Sequence, residues 1–102
     1  MALTLQVIYP ITDETTFDYD YYTGTHLPLV GQHMGEHIES TLVTKGLAGG
    51  PDAPPESYAV ATIKFAGKGA MDAAMAASGP VVADIPNFTN TKPQILIGEV
   101  IG

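Results

Sequence analysis

Four short stretches of strand patterning and two helical stretches follow one another in this chain as β-α-β-β-α-β, and few folds accept that order. In residues 2–9, Leu3, Leu5, Val7 and Tyr9 alternate with Thr4 and Gln6, which is the period of a half-buried strand, and Pro10 stops it. Thr12-Asp13-Glu14 reads as a helix opening, a capping residue followed by acids that suit the positive end of the helix dipole. The expected helix runs through Phe17, Tyr21 and Tyr22 to Gly31 or Gly35, with a kink or break where Gly24 and Pro28 interrupt it. Alternation returns over residues 38–45. A Gly/Pro-dense loop covers 46–55, and residues 58–65 read as a third strand. The Ala- and Met-rich stretch Ala70 to Ser78 is helical by propensity and ends at Gly79-Pro80. Val81 to Ile85 adds a short helical turn, and Gln94 to Ile101 closes the chain as a fourth strand.

This order gives an α+β class with the ferredoxin-like split βαβ arrangement, a four-stranded antiparallel sheet with two helices on one face. Length fits a single domain over residues 1–102. A chain of this size buries roughly 65% of the surface its unfolded form exposes, a small margin that association would widen. The first and last strands are apolar on both faces: Ile8 lies opposite Val7, and Ile95 and Ile97 opposite Leu96 and Val100. Two helices cover only one face of such a sheet. The bare face therefore predicts a homodimer in which two sheets meet around a barrel-like interior.

Composition narrows the partners. Net charge is −7, and the four cations are lysines, with no arginine anywhere. Phosphate recognition rests on Lys and Arg, so nucleic acid, anionic lipid and nucleotides are poor ligands for this chain. The absence of cysteine removes disulfides, thiolate nucleophiles and Cys-type metal sites. No apolar run approaches a membrane span, and MALTLQVIYP lacks the basic start of a signal peptide, so a cytoplasmic protein is expected.

The chemistry that remains belongs to histidine, tyrosine and the carboxylates. Tyr22 and His26 lie four apart, beside the face that Phe17 and Tyr21 share. A Tyr–His pair at a pocket edge can hydrogen-bond a carbonyl or phenol oxygen, and His26 titrates near neutrality as a general acid or base. The competing reading gives His26 a structural bond that fixes the helix against the sheet. Pro28 leaves a backbone carbonyl free near Gly24. Tyr9, Phe17, Tyr58, Phe65, Phe88 and Leu96 are candidates for an apolar, substrate-binding lining. His33 and His37 stand at the i, i+4 spacing of two metal ligands, with Glu36 or His26 available to complete a set. Pro28, Gly31 and Gly35 interrupt the helix that would align them, so no metal is expected. Haem ligation by one of these histidines is a lesser alternative, and no cofactor is assigned. Lys64, the pair Asp18 and Asp20, and the pair Met71 and Met75 read as surface or packing residues.

A strand ending in Tyr9-Pro10, an aspartate, Phe17, Tyr21-Tyr22 and then His26-Leu27-Pro28-Leu29 resembles the EthD family of the dimeric α/β-barrel superfamily. The likeness extends through the third strand, the Ala-rich helix and the closing strand. It implies a ferredoxin-like subunit, a homodimer and a pocket between sheet and helices. The family takes its name from ethyl tert-butyl ether degradation, and related families include muconolactone-type isomerases, polyketide cyclases, cofactor-free monooxygenases and haem-degrading enzymes. Two functions follow as expectations. One is a small enzyme, an isomerase, cyclase or cofactor-free oxygenase, acting on an apolar, oxygen-bearing catabolic intermediate with His26 as acid or base and Tyr22 orienting the substrate. The other is a non-catalytic binding or accessory dimer that supports an oxidoreductase in ether or aromatic degradation.

Overall fold

The computed structural model describes residues 1–102. Strands β1 (Leu3–Pro10), β2 (Ser40–Lys45), β3 (Ser57–Phe65) and β4 (Gln94–Glu99) form one antiparallel sheet in the order β2-β3-β1-β4. This is the ferredoxin-like topology, with β1 and β3 in the centre. The ladder between them slips at Tyr9–Pro10, where proline has no N–H to continue it.

Register decides which side chains face the helices. Leu5 sits between Ile63 and Ile97, Val7 between Ala61 and Ile95, and Tyr9 beside Ala59. The alternate residues, Gln6 with Thr62 and Leu96, and Ile8 with Val60, take the other face. Leu96 is therefore on the open face and 55% exposed. This corrects its expected place in a lining under the helices. The period of two fixes which residues share a face, and cross-strand pairing then fixes which face is covered.

The helical layer lies on one face: α1 (Tyr19–Tyr21), α2 (Leu27–Met34), α3 (Lys68–Ala76) and α4 (Gly79–Asp84). The first helix starts at Tyr19, not near Thr12. Glu14 has a φ of 66°, and Thr12 and Thr15 close a local turn, the Thr15 hydroxyl donating to the Thr12 carbonyl at 2.7 Å. Asp18 is the cap instead, its carboxylate accepting from the Tyr21 N–H at 3.1 Å. The expected break takes a definite form. Residues Tyr22–His26 make a wide π-helical turn in which the Leu27 N–H reaches back to the Tyr22 carbonyl. Pro28 has no N–H for the Gly24 carbonyl, and its ring presses on that carbonyl, so the ladder widens one turn before it. Gly79-Pro80 both follows α3 and opens α4, with proline in its favoured first turn.

The core has two parts. Leu5, Met34, Ile63, Phe65, Met71, Ala74 and Val81 pack at one end. Tyr9, Tyr22, Ala59 and Phe88 pack at the other, joined at their edge by Phe17, Tyr21 and Tyr58.

Candidate active site

A cavity of about 480 Å³ lies between the sheet and the helices, spanning both parts of the core. That volume is in the range of small-molecule sites. Its walls are mostly aliphatic, from Val7, Val43 and Ala61 on the strands to Val30, Val81 and Ile85 on the helical side. Tyr9, Tyr22 and His26 are on the wall as well. The π turn sets the last two. Four residues make close to one full turn there, so the rings of Tyr22 and His26 lie nearly parallel, 17° apart with centroids at 5.6 Å. Tyr9, from the end of β1, meets Tyr22 edge-on at 5.7 Å. Phe88 closes against His26 at 4.5 Å.

His26 is 3% exposed, and its Nδ1 lies 3.0 Å from an Asp84 carboxylate oxygen. Asp84 ends α4, 58 residues away in sequence. Its other oxygen accepts from the Tyr21 hydroxyl at 2.7 Å and from the Asn87 amide at 3.0 Å. These bonds, the Tyr21 hydroxyl first, then Asn87 and His26, hold the Asp84 carboxyl below its ordinary range, so it is ionised. Burial pushes the His26 pKa down, against the opposing pull of Asp84. The result is a neutral imidazole beside a carboxylate. A carboxylate only accepts, so the ring proton sits on Nδ1 and Nε2 keeps its lone pair. No group of the chain bonds Nε2.

The tyrosines differ from one another. Burial raises the Tyr22 pKa to about 12, and burial with the neighbouring Tyr22 raises that of Tyr9. Both stay protonated. The Tyr22 hydroxyl is fully buried with no hydrogen-bond partner. Such a group is rare in a folded protein and calls for an explanation.

The other candidates from the sequence fall elsewhere. Phe17 and Phe88 back the wall without lining the cavity, Phe17 meeting Tyr9 and Tyr22 at 5.3 and 5.0 Å. Tyr58 stacks on Phe17 and donates its hydroxyl to the Thr15 carbonyl at 2.7 Å, so it anchors the turn after β1. Phe65 is wholly buried in the aliphatic end of the core, away from the wall. His37 lies 3.3 Å from Glu36 at the end of the first helical segment, apart from His26, which is bound to Asp84. No three of the His, Asp and Glu residues gather as a metal site. Asp84, with Tyr21 and Asn87 behind it, was not singled out from the sequence. Its one signal is a lone acid in the apolar run Val81-Val82-Ala83-Asp84-Ile85-Pro86.

No protein-family model matches the chain, and no curated protein matches it. Solved structures do. An EthD-like protein from Ralstonia eutropha is 33% identical over 99% of this chain and 93% of its own, with a TM-score of 0.88. A protein of the ethyl tert-butyl ether (EthD) family from Bacillus halodurans is 19% identical, covering 99% of this chain and 100% of its own at a TM-score of 0.78. SnoaB from Streptomyces nogalater, a cofactor-independent oxygenase, shares the fold at 8% identity and a TM-score of 0.63, over 99% of this chain and 93% of its own.

Proposed function

The chain belongs to the EthD-like family, and from that membership and the cavity we propose that it is an acid–base enzyme acting on a small, apolar, oxygen-bearing molecule. The observation that carries this reading is the His26–Asp84 pair on the cavity wall. Asp84 fixes the imidazole as the Nδ1–H tautomer, and burial keeps it neutral, so Nε2 is a base at working pH. A phenol O–H or a C–H beside a carbonyl would give its proton to Nε2. Asp84 then stabilises the imidazolium, as an orienting carboxylate does for a catalytic histidine. In this reading Tyr22, protonated and stacked on His26, turns its unpartnered hydroxyl to a ligand oxygen and donates to the charge that develops there. This proton transfer is the step that isomerases, cyclases and cofactor-free oxygenases share. SnoaB, with the same fold, is an oxygenase of the cofactor-independent kind.

Thermal-shift screening with phenols, quinones, lactones and ethers identifies ligands, because a bound ligand stabilises the fold by mass action. Turnover of the hits is then compared in wild type and His26→Gln. A loss of about 10²–10⁴-fold supports the base. Unchanged turnover removes His26 from the chemistry. The second reading, a non-catalytic binder, draws on the sparse polarity of the lining, which suits sequestering an apolar molecule. Tight binding with no turnover of any hit would favour it.

We further propose that two copies pair through the open sheet face. Ile8 and Val60 lie there with Leu42, which is 66% exposed, and Leu96. A specific pair buries above about 1,000 Å². Sedimentation at micromolar concentration should give a dimer, and a monomer would contradict the pairing. No helix of the chain is long and apolar enough to cross a membrane.

A further inference from the structure

The cavity also carries information about the charge of what enters it. None of its lining residues is a lysine, and the chain has no arginine. Each lysine has its own place away from the wall. Lys45 lies over the Tyr19 ring at 4.3 Å, Lys64 faces Glu39 at 3.9 Å, and Lys68 pairs with Asp72 at 2.7 Å. Lys92 is exposed, one residue before Pro93 at the rim. The one charge close to the site is negative, the ionised Asp84 behind His26. An anion in this cavity would lose its water, meet no cation and feel a carboxylate across one imidazole ring. Two residues of the wall, Tyr9 and His26, bring polar groups to it, and the neighbouring Tyr22 hydroxyl is unpartnered but shut off from the open space as the ring stands. Their rings touch in series, Tyr9 on Tyr22 and Tyr22 on His26. All else around the cavity, apart from Thr41 and Ser78, offers apolar surface or backbone.

We propose that the site selects molecules that are uncharged on entry and carry their oxygen on a single edge, phenols and enolisable ketones, and that it rejects carboxylates of the same skeleton. The proposal rests on the reading of this cavity as the functional site. The oxygen edge meets Tyr9 and Nε2, and a turn of the Tyr22 ring brings its unpartnered hydroxyl to the same edge, while the hydrocarbon fills the aliphatic part. A phenol therefore arrives neutral and becomes an anion only by passing its proton to His26, with Asp84 holding the imidazolium that results.

Three bicyclic probes of matched shape test this: 1-naphthol, naphthalene and 1-naphthoic acid, titrated calorimetrically into the wild-type protein at pH 7. The expected order is naphthol tightest, naphthalene next and the acid, ionised at that pH, weakest, with naphthol at least about 10-fold tighter than the acid. Naphthoate binding as tightly as naphthol overturns the charge selection, and binding of none of the three overturns the proposed ligand class. In Tyr22→Phe and Tyr9→Phe, which keep the packing, the preference for naphthol over naphthalene should shrink several-fold. A preference unchanged in both variants would remove the tyrosines from the oxygen edge. These outcomes are separate from the acid–base reading. Charge selection can hold while His26→Gln turns over substrate normally, which would sink the enzyme and leave the binding rule.

Discussion

The two ends of the layer between sheet and helices are built from different material. At one end Leu5, Ile63, Phe65, Met71 and Ala74 pack without a polar side chain among them. At the other, Tyr9 and Tyr22 bring hydroxyls into the interior beside Phe88, and His26 and Asp84 add a buried polar pair. Burial alone accounts for the first end, because removing apolar surface from water is favourable at about 25 cal/mol per Å². It does not account for the second. A buried hydroxyl without a partner costs about 1–3 kcal/mol, and the Tyr22 hydroxyl is in that position. Both ends line the cavity, so stability and function separate by material: the aliphatic end packs and offers only apolar surface, and the aromatic end keeps polar groups unpaired at the expense of stability.

Substitutions should break the two ends in opposite ways. The largest effect is expected on turnover. His26→Gln and Asp84→Asn should each lower it by about 10²-fold or more, the first by removing the base and the second by freeing the wrong tautomer. Steady-state kinetics on any turned-over hit checks this, and equal activity in Asp84→Asn would detach the carboxylate from the mechanism. At the other end, Phe65→Ala removes a ring with no exposure and should cost about 3–5 kcal/mol in denaturant unfolding. Ligand affinity of the folded fraction should hardly change. A large affinity loss with little loss of stability would reverse the assignment of the two ends.

Acid should act through the aromatic end. Burial holds native His26 below its ordinary 6.5, so the unfolded chain binds the proton first. Stability from this group is present above pH 6.5 and is lost as pH falls through and below that value. Asp84, also lowered, extends the loss below its ordinary 3.8. In alkali the sign reverses. Native Tyr22 ionises only near 12 while the unfolded residue does so at 10.0, so stability declines between those values. Melting temperatures across pH should show both slopes, and His26→Gln should flatten the acid one just below pH 6.5. The smallest effect is a gain. Tyr22→Phe removes the unpartnered hydroxyl and should stabilise the free protein by about 1 kcal/mol. A loss of similar size would mean that the hydroxyl has a partner in solution.

Much of the fold was legible because strand alternation is a local signal, and β1 and β3 fall within a residue or two of their expected bounds. The helix start was not, because Thr12 and Asp18 are both good caps and a backbone turn at Glu14 decides between them. Pro28 foretold the disturbed ladder but not its form as a π turn. Tyr9, Tyr22 and His26 reach one wall because they share faces that period and spacing display. Asp84 stayed hidden because its partner is 58 residues distant, and a pair across the fold leaves no periodic trace. Leu96 shows the limit of alternation, since a strand apolar on both faces does not announce which face is covered.

The mechanism stands on one state of His26: burial keeps the ring neutral, while Asp84 holds its proton on Nδ1 and leaves Nε2 bare. Two-bond nitrogen–proton correlation spectra of the nitrogen-15 labelled protein, read over pH 5 to 8, report this directly. At pH 7 the His26 ring is expected to be neutral, with Nδ1 protonated and Nε2 not, and its titration midpoint to lie below 6.5. A ring protonated at pH 7, or a neutral ring carrying its proton on Nε2, would contradict it.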